Sequence, residues 1–258
     1  MKPLSWLFSI SIIVLISSSL YHHGVNEFFY NENDISFVEE KEAKDFIEKD
    51  YDKYVQHFSI QDLRARKVKT ITEYIEKSSE DIIPFTEEQK NIIISSVKYA
   101  NQYLKQHPLI QFEYFRNTPW QFILTNGFYE QGLPHTRGAY IFLSKNFFSL
   151  STEAQINTLI HEKIHLFQRF HKELVKKDLE KEGYKEYCLR KEYPGIRANP
   201  DVDEYIYYHP SKYLMVATYK SDYPENIQDI LETSVHKEHP YEEFAYNVAK
   251  YSSSVFKK

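Results

Sequence analysis

His161 and His165 stand four residues apart, with Glu162 directly after the first. At about 3.6 residues per helical turn, that spacing puts both imidazoles on one face, one turn apart. Two imidazoles so placed reach one metal ion. Zinc favours a tetrahedral site of nitrogen and oxygen ligands, and a catalytic zinc takes three protein ligands and leaves the fourth position to water. The metal lowers the pKa of that water to about 7, and a carboxylate leaning over it takes the proton. Glu162 has that place. His161-Glu162-Lys163-Ile164-His165 is a His-Glu-x-x-His pattern. The chemistry it predicts is peptide-bond hydrolysis by a metal-activated water, with one zinc and Glu162 as general base.

The motif needs a helix with one buried side. Thr152 and Gln155 have the spacing of a capping box that would open it, and Leu159, Ile160, Ile164 and Phe167 supply an apolar side. Upstream, residues 36–80 are charged, with Phe46, Ile47, Tyr54, Phe58, Leu63, Val68, Ile71 and Ile75 at roughly helical spacing, which predicts one or two amphipathic helices. Thr86 and Gln89 form a capping box for a further helix that ends before Pro108. Two β-like runs follow: residues 121–125, closed by the turn signal Asn126-Gly127, and residues 138–144. Residues 172–193 are expected to continue as charged helix up to a loop at Pro194-Gly195, residues 201–238 to be irregular, and residues 240–252 to form a last helix with Pro240 as its first residue. The expected fold is α+β, mostly helical with a small antiparallel or mixed sheet and a zincin-like active-site helix.

The third ligand defines the subclass. His171 stands six residues after His165, where metzincins place their third histidine, but those enzymes have Gly at the position held here by Gln168. That Gly ends the helix and returns the chain to the metal. With Gln168 the helix can continue, and His171 then lies about 9 Å along the axis from His165. In His239-Pro240-Tyr241-Glu242-Glu243-Phe244-Ala245-Tyr246 the chain resembles the gluzincin zinc peptidases, the clan of thermolysin and the anthrax lethal factor protease domain. The resemblance spans about residues 138–250. It implies that a second helix supplies a Glu ligand, and the lethal-factor-like register, two residues before Phe-Ala, implies Glu242 over its neighbour Glu243. It also implies that residues 140–144 form the edge strand that holds an extended peptide by main-chain hydrogen bonds. Thermolysin-like enzymes carry an acidic residue four positions after the ligand Glu to orient a zinc-bound His. Tyr246 stands there, so that support must come from elsewhere, with Asn247 one candidate. An oxyanion donor is also required; Tyr241, Tyr246, His236 and His239 lie near the ligand in sequence, and His135 and Arg137 precede the strand.

Other chemistries are disfavoured. A net charge of −5 without a basic stripe leaves nucleic acid no electrostatic footprint. The single cysteine, Cys188, excludes an intrachain disulfide and a multi-cysteine zinc site. No Gly-x-Ser-x-Gly occurs, and six glycines build no phosphate loop. Lys2 precedes an apolar run over residues 4–20 that reads as a signal peptide or signal-anchor. The expected organisation is therefore this leader (1–20), a linker and N-terminal helical region (21–80) and a zincin-like metallopeptidase domain (81–258). The chain is expected to be secreted or membrane-anchored, with the catalytic domain on the non-cytoplasmic side, acting on a peptide or protein substrate. The reading from another class is a membrane-anchored binding or structural module with a degenerate zinc site.

Overall fold

The structure is a computed structural model that describes residues 35–108, 110, 114–115, 118–211, 213–231 and 238–251. The expected leader lies outside these residues. Among the described residues, no helix is long and apolar enough to cross a membrane.

The fold is α+β. The strand β1 (Ile35–Phe37) is followed by helices α1 (Glu40–Lys49), α2 (Ile60–Ala65) and α3 (Ile71–Glu80), then by the short strand β2 (Ile82–Ile83) and the long helix α4 (Glu87–Gln106). Residues 36–80 thus hold three α-helices and one 3-10 turn, where the pattern predicts one or two helices. Strands β3 (Trp120–Thr125), β4 (His135–Arg137) and β5 (Tyr140–Ser144) complete the main sheet. Its order is β1-β3-β5-β4, with β2 antiparallel to β3. β1, β3 and β5 are parallel, and β4 is antiparallel to β5.

The sheet is buried on both faces, and strand alternation divides two cores. Trp120, Phe122, Ile141 and Leu143 face the core built by α4, the motif helix α5 (Thr152–Phe170) and the last helix α7 (Pro240–Val248). Ile123 and Phe142 face the core built by α1, α2 and α3. Because successive side chains of a strand point to opposite faces, one short strand serves both layers. The strand expected over residues 138–144 starts at Tyr140. Gly138 and Ala139 instead form the two-residue turn of a hairpin whose first arm is β4. Gly138 has φ +56°, and a Cβ there would meet the Phe46 ring at 3.0 Å, so a side chain is excluded by backbone and by space.

Beyond α5 the chain departs further from expectation. The charged helix α6 (Lys172–Lys181) stops well before residue 193, at Gly183 with φ +93°. Residues 185–189 form β6 (Lys185–Leu189), which pairs antiparallel with β7 (Tyr205–His209), and β7 pairs with β8 (Tyr213–Met215). The Tyr-rich stretch read as irregular therefore supplies two strands of a second, three-stranded sheet. Ile206 and Tyr207 of β7 are buried, flanked by exposed Tyr205 and Tyr208. Met215 is buried with Tyr184 and Tyr207 as core.

Candidate metal centre

The motif helix α5 begins at Ser151, whose hydroxyl accepts the Ala154 N–H at 3.3 Å. The expected Thr152–Gln155 box does not form, because the chain turns helical one residue earlier and Gln155 donates its side-chain amide to the Phe147 carbonyl at 3.2 Å. Leu159, Ile160 and Ile164 are fully buried against the sheet, and Phe167 packs beside them. This fixes the rotation of α5 and sets His161 and Glu162 toward the cleft on its other side, with His165 fully buried beside His161. Lys163 is buried as well; its ammonium donates to the Thr118 carbonyl and lies 4.2 Å from the centre of the Trp120 ring, away from the cleft.

The helix runs through Gln168 to Phe170, as the absence of Gly allows. Gln168 then has a second use. Its Nε2 donates to the Tyr241 carbonyl at 3.1 Å, so its Oε1 faces the Nδ1 of His165 at 2.9 Å. A carbonyl only accepts, so the amide orientation is determined, and Nδ1 of His165 must carry hydrogen. The Nε2 of His165 is left as the inward atom. His171 instead caps α5 and packs its ring against Tyr114 and Phe167.

Helix α7 brings the acid. His239 caps it, with Nδ1 accepting the Tyr241 N–H at 3.2 Å, and Pro240 occupies the first turn, where its missing N–H costs nothing. Glu242 Oε2 lies 3.3 Å from His161 Nε2 and 3.7 Å from His165 Nε2, and the two ring nitrogens are 3.0 Å apart. Ligands about 2.0–2.1 Å from a tetrahedral zinc stand roughly 3.4 Å from one another, so the three separations bracket the required value. Among the described residues, His161, His165 and Glu242 form the one group of three or more such side chains close enough to hold a metal ion. Glu243 instead reaches the Tyr184 hydroxyl at 3.3 Å.

Glu162 is buried, and its Oε2 has no hydrogen-bond partner among the described residues. Burial, with the nearby charges of Asp201 and Glu242, pushes its pKa well above the usual carboxylate range. Glu242 behaves oppositely. Burial would raise it, but the imidazoles of His165 and His161 hold it well below that range. Burial likewise opposes protonation of His165, and the Glu242 carboxylate outweighs it. Glu242 thus lies against imidazoles that outweigh its burial, whereas the one charge that favours an ionised Glu162, that of Arg169, does not outweigh burial. A donor set of two imidazoles and one carboxylate beside an orphaned buried carboxyl fits a divalent cation.

The cleft around these residues, of about 760 Å³, is lined by Tyr246, His135, Asn199, Asp201 and an apolar wall that includes Val216, Ile227 and Ile230. Tyr246 stacks edge-on to His161, ring centres 4.5 Å apart, and burial beside Glu242, Glu238 and Glu162 pushes its phenol up to about 12. His135 lines the cleft with Nδ1 on the Leu133 carbonyl at 2.9 Å. The other oxyanion candidates lie elsewhere. Tyr241 is buried against His239, His239 caps α7, and Arg137 is buried among Asp50, Asp52 and Tyr129. His236 lies outside the described residues. Asn247 pairs with Lys250 at 3.4 Å.

The expected edge strand is corrected too. β5 is interior, paired with β3 and β4, and β4 is the edge. The outward N–H of Thr136 on β4 donates to Asp201 Oδ1 at 2.5 Å, and its carbonyl accepts from Arg169 Nη2 at 3.1 Å. The peptide group that an added strand would use is therefore already bonded within the chain. Comparisons with protein-family models, with curated proteins and with solved structures find no match.

Proposed function

We propose that the chain is a zinc-dependent metallopeptidase. The observation that carries the reading is the convergence of His161 Nε2, His165 Nε2 and Glu242 Oε2, from two helices distant in sequence, next to the buried Glu162, whose Oε2 has no hydrogen-bond partner among the described residues. His161, His165 and Glu242 would hold the ion. When bound, zinc supplies the positive charge that acidifies a water, polarises a peptide carbonyl and lowers the pKa of a neighbouring carboxyl group.

Glu162, in carboxylate form, takes a proton from the attacking water and returns it to the leaving amine. Tyr246 lines the same cleft beside His161 and remains protonated at neutral pH, so its hydroxyl is the donor best placed for charge developing on the carbonyl oxygen. The apolar wall excludes water and offers surface to an apolar residue of a peptide substrate.

The purified protein is expected to carry one zinc, and Glu162→Gln to keep the zinc while losing about 10²–10⁴-fold in hydrolysis of a broad peptide library. Folded wild-type protein that takes up no zinc at saturating metal would sink the proposal. A zinc-holding module without catalysis is the second reading, favoured by the internal bonding of Thr136. One bound zinc with no cleavage anywhere in the library would select it.

A further inference from the structure

We propose that Asn199, on the segment 197–201 that crosses the cleft, is the positioning residue for Glu242: its amide holds Oε1 of the carboxylate and so turns Oε2 toward the two histidines. The inference rests on the metal reading above. Glu242 is a long side chain in the first turn of α7, and the His239 cap of that helix bonds the Tyr241 N–H and not the carboxylate. Asn199 Nδ2 supplies the missing constraint, donating to Glu242 Oε1 at 2.8 Å. Its other hydrogen goes to Glu238 Oε1 at 2.5 Å, and its Oδ1 accepts the Asp201 N–H at 2.9 Å. Every polar atom of the amide is engaged, so its orientation is determined and cannot be reversed without opposing carbonyl oxygen to two carboxylates.

The segment that carries Asn199 is itself immobilised on both sides. Before it, the Ala198 N–H donates to Asp62 Oδ1 at 2.8 Å, and the Ala198 carbonyl accepts from Arg66 Nη2 at 3.1 Å. After it, the Pro200 carbonyl accepts from Arg169 Nη2 at 2.7 Å, and Asp201 holds Thr136. Arg197 completes the line by clasping Glu238 at 2.6 Å and 2.5 Å to its two oxygens, so the acid that shares the Asn199 amide is charge-balanced. A ligand carboxylate with one oxygen so anchored presents the other alone, and partners of this kind tune a metal site through its ligands. The same segment occupies the outer side of β4. It therefore replaces main-chain pairing at Thr136 with a built-in wall that positions the acid ligand.

The test uses the full chain, stripped with a chelator, as wild type, Asn199→Ala, Asn199→Asp and Glu242→Ala. Zinc affinity is read by competition with a chromophoric chelator, the visible spectrum of the cobalt-substituted protein reports coordination, and thermal melting of the metal-free proteins reports folding. Asn199→Ala is expected to weaken zinc by about 10–100-fold and to change the cobalt spectrum. Asn199→Asp, of the same shape but unable to donate, is expected to do the same and decides the matter if the alanine variant does not fold. Zinc affinity within twofold of wild type and an unaltered cobalt spectrum, with Glu242→Ala defective, would overturn the positioning role and leave the metal reading standing. Wild type without zinc overturns both, and an undiminished Glu242→Ala overturns the ligand and its positioning residue together.

Discussion

At the scale of residues, the centre is a problem of competing charges. Without metal, the imidazoles stabilise the Glu242 carboxylate, and that carboxylate favours a proton on His165 against its burial. A metal must take the place of that proton, because imidazole binds only through a bare nitrogen. The folded pKa of His165 lies above the ordinary value of about 6.5, so zinc affinity should rise with pH up to that raised value and level off beyond it. Below it, affinity should fall by about tenfold per pH unit for each proton displaced. Isothermal titration in two buffers of different ionisation enthalpy would count the released protons; zinc binding without proton release at pH 6, below the ordinary imidazole value, would contradict the raised pKa of His165. The placement of His161, Glu162 and His165 on one helix is legible in the sequence because a four-residue interval is local helical geometry. The role of Gln168 is only half legible. Its identity shows that the helix does not end there, but its grip on His165 and Tyr241 depends on α7 arriving from far along the chain.

At the scale of elements, the start of α5 is set by one hydroxyl. Ser151 carries the cap, and Thr152 is exposed within the first turn. Ser151→Ala should therefore cost about 1 kcal/mol, while Thr152→Ala should stay within about 0.5 kcal/mol, both read from urea denaturation. Equal losses, or a larger loss at Thr152, would restore the box expected from sequence. That box has the right residue types one position late, a shift that spacing alone does not resolve. By contrast, Thr86 and Gln89 bond reciprocally, at 3.2 Å and 2.9 Å, because no competing cap residue precedes them. Strands β6 and β7 were hidden for a different reason. Residues 185–192 carry charges as the helix before them does, and the strand character of residues 185–189 comes from pairing with β7, not from a local preference. The hairpin of β4 and β5 was hidden by Gly138, which reads as a strand start and acts as the turn.

At the scale of the whole molecule, a buried polar network joins the N-terminal helices to the cleft. Arg66 donates to Glu130 through Nε at 2.9 Å and Nη2 at 2.6 Å, and Tyr54 and Tyr74 turn their hydroxyls to the same carboxylate. Arg66 also binds the Ala198 carbonyl, so the network reaches the segment that carries Asn199. It holds Glu130 and Gln131 at φ +43° and +54°, a left-handed pair without glycine that needs such support. Burial alone would raise the Glu130 pKa, but Arg66 holds it below the usual range. A depressed carboxylate contributes stability above its unfolded value of about 4.3, and that contribution is lost as pH falls through the lower folded value. Glu130→Gln should thus cost about 3–5 kcal/mol at neutral pH, since it removes the carboxylate that Arg66 grips and leaves the buried guanidinium only the more distant Asp62, at 3.6 Å. The deficit should stay constant down to about pH 4.3 and shrink progressively below it. A deficit in urea midpoint that stays constant from pH 7 to pH 3 would refute the assignment.

The sequence by itself determined the helix that bears His161, Glu162 and His165, the α+β class, and a short list of acids for the third position. The helix and the class follow from periodicity, which neighbours along the chain impose on one another, and the acids from the resemblance to the gluzincin peptidases. Only the tertiary structure decided that Glu242 turns toward the histidines while Glu243 turns toward Tyr184, that β4 is the edge strand with Thr136 already bonded, and that Asn199 stands behind the acid. Adjacent residues on a helix differ by about 100° in direction, and which one meets the site depends on how α7 docks on α5. That docking is set by packing among segments far apart in the chain, and no local pattern encodes it.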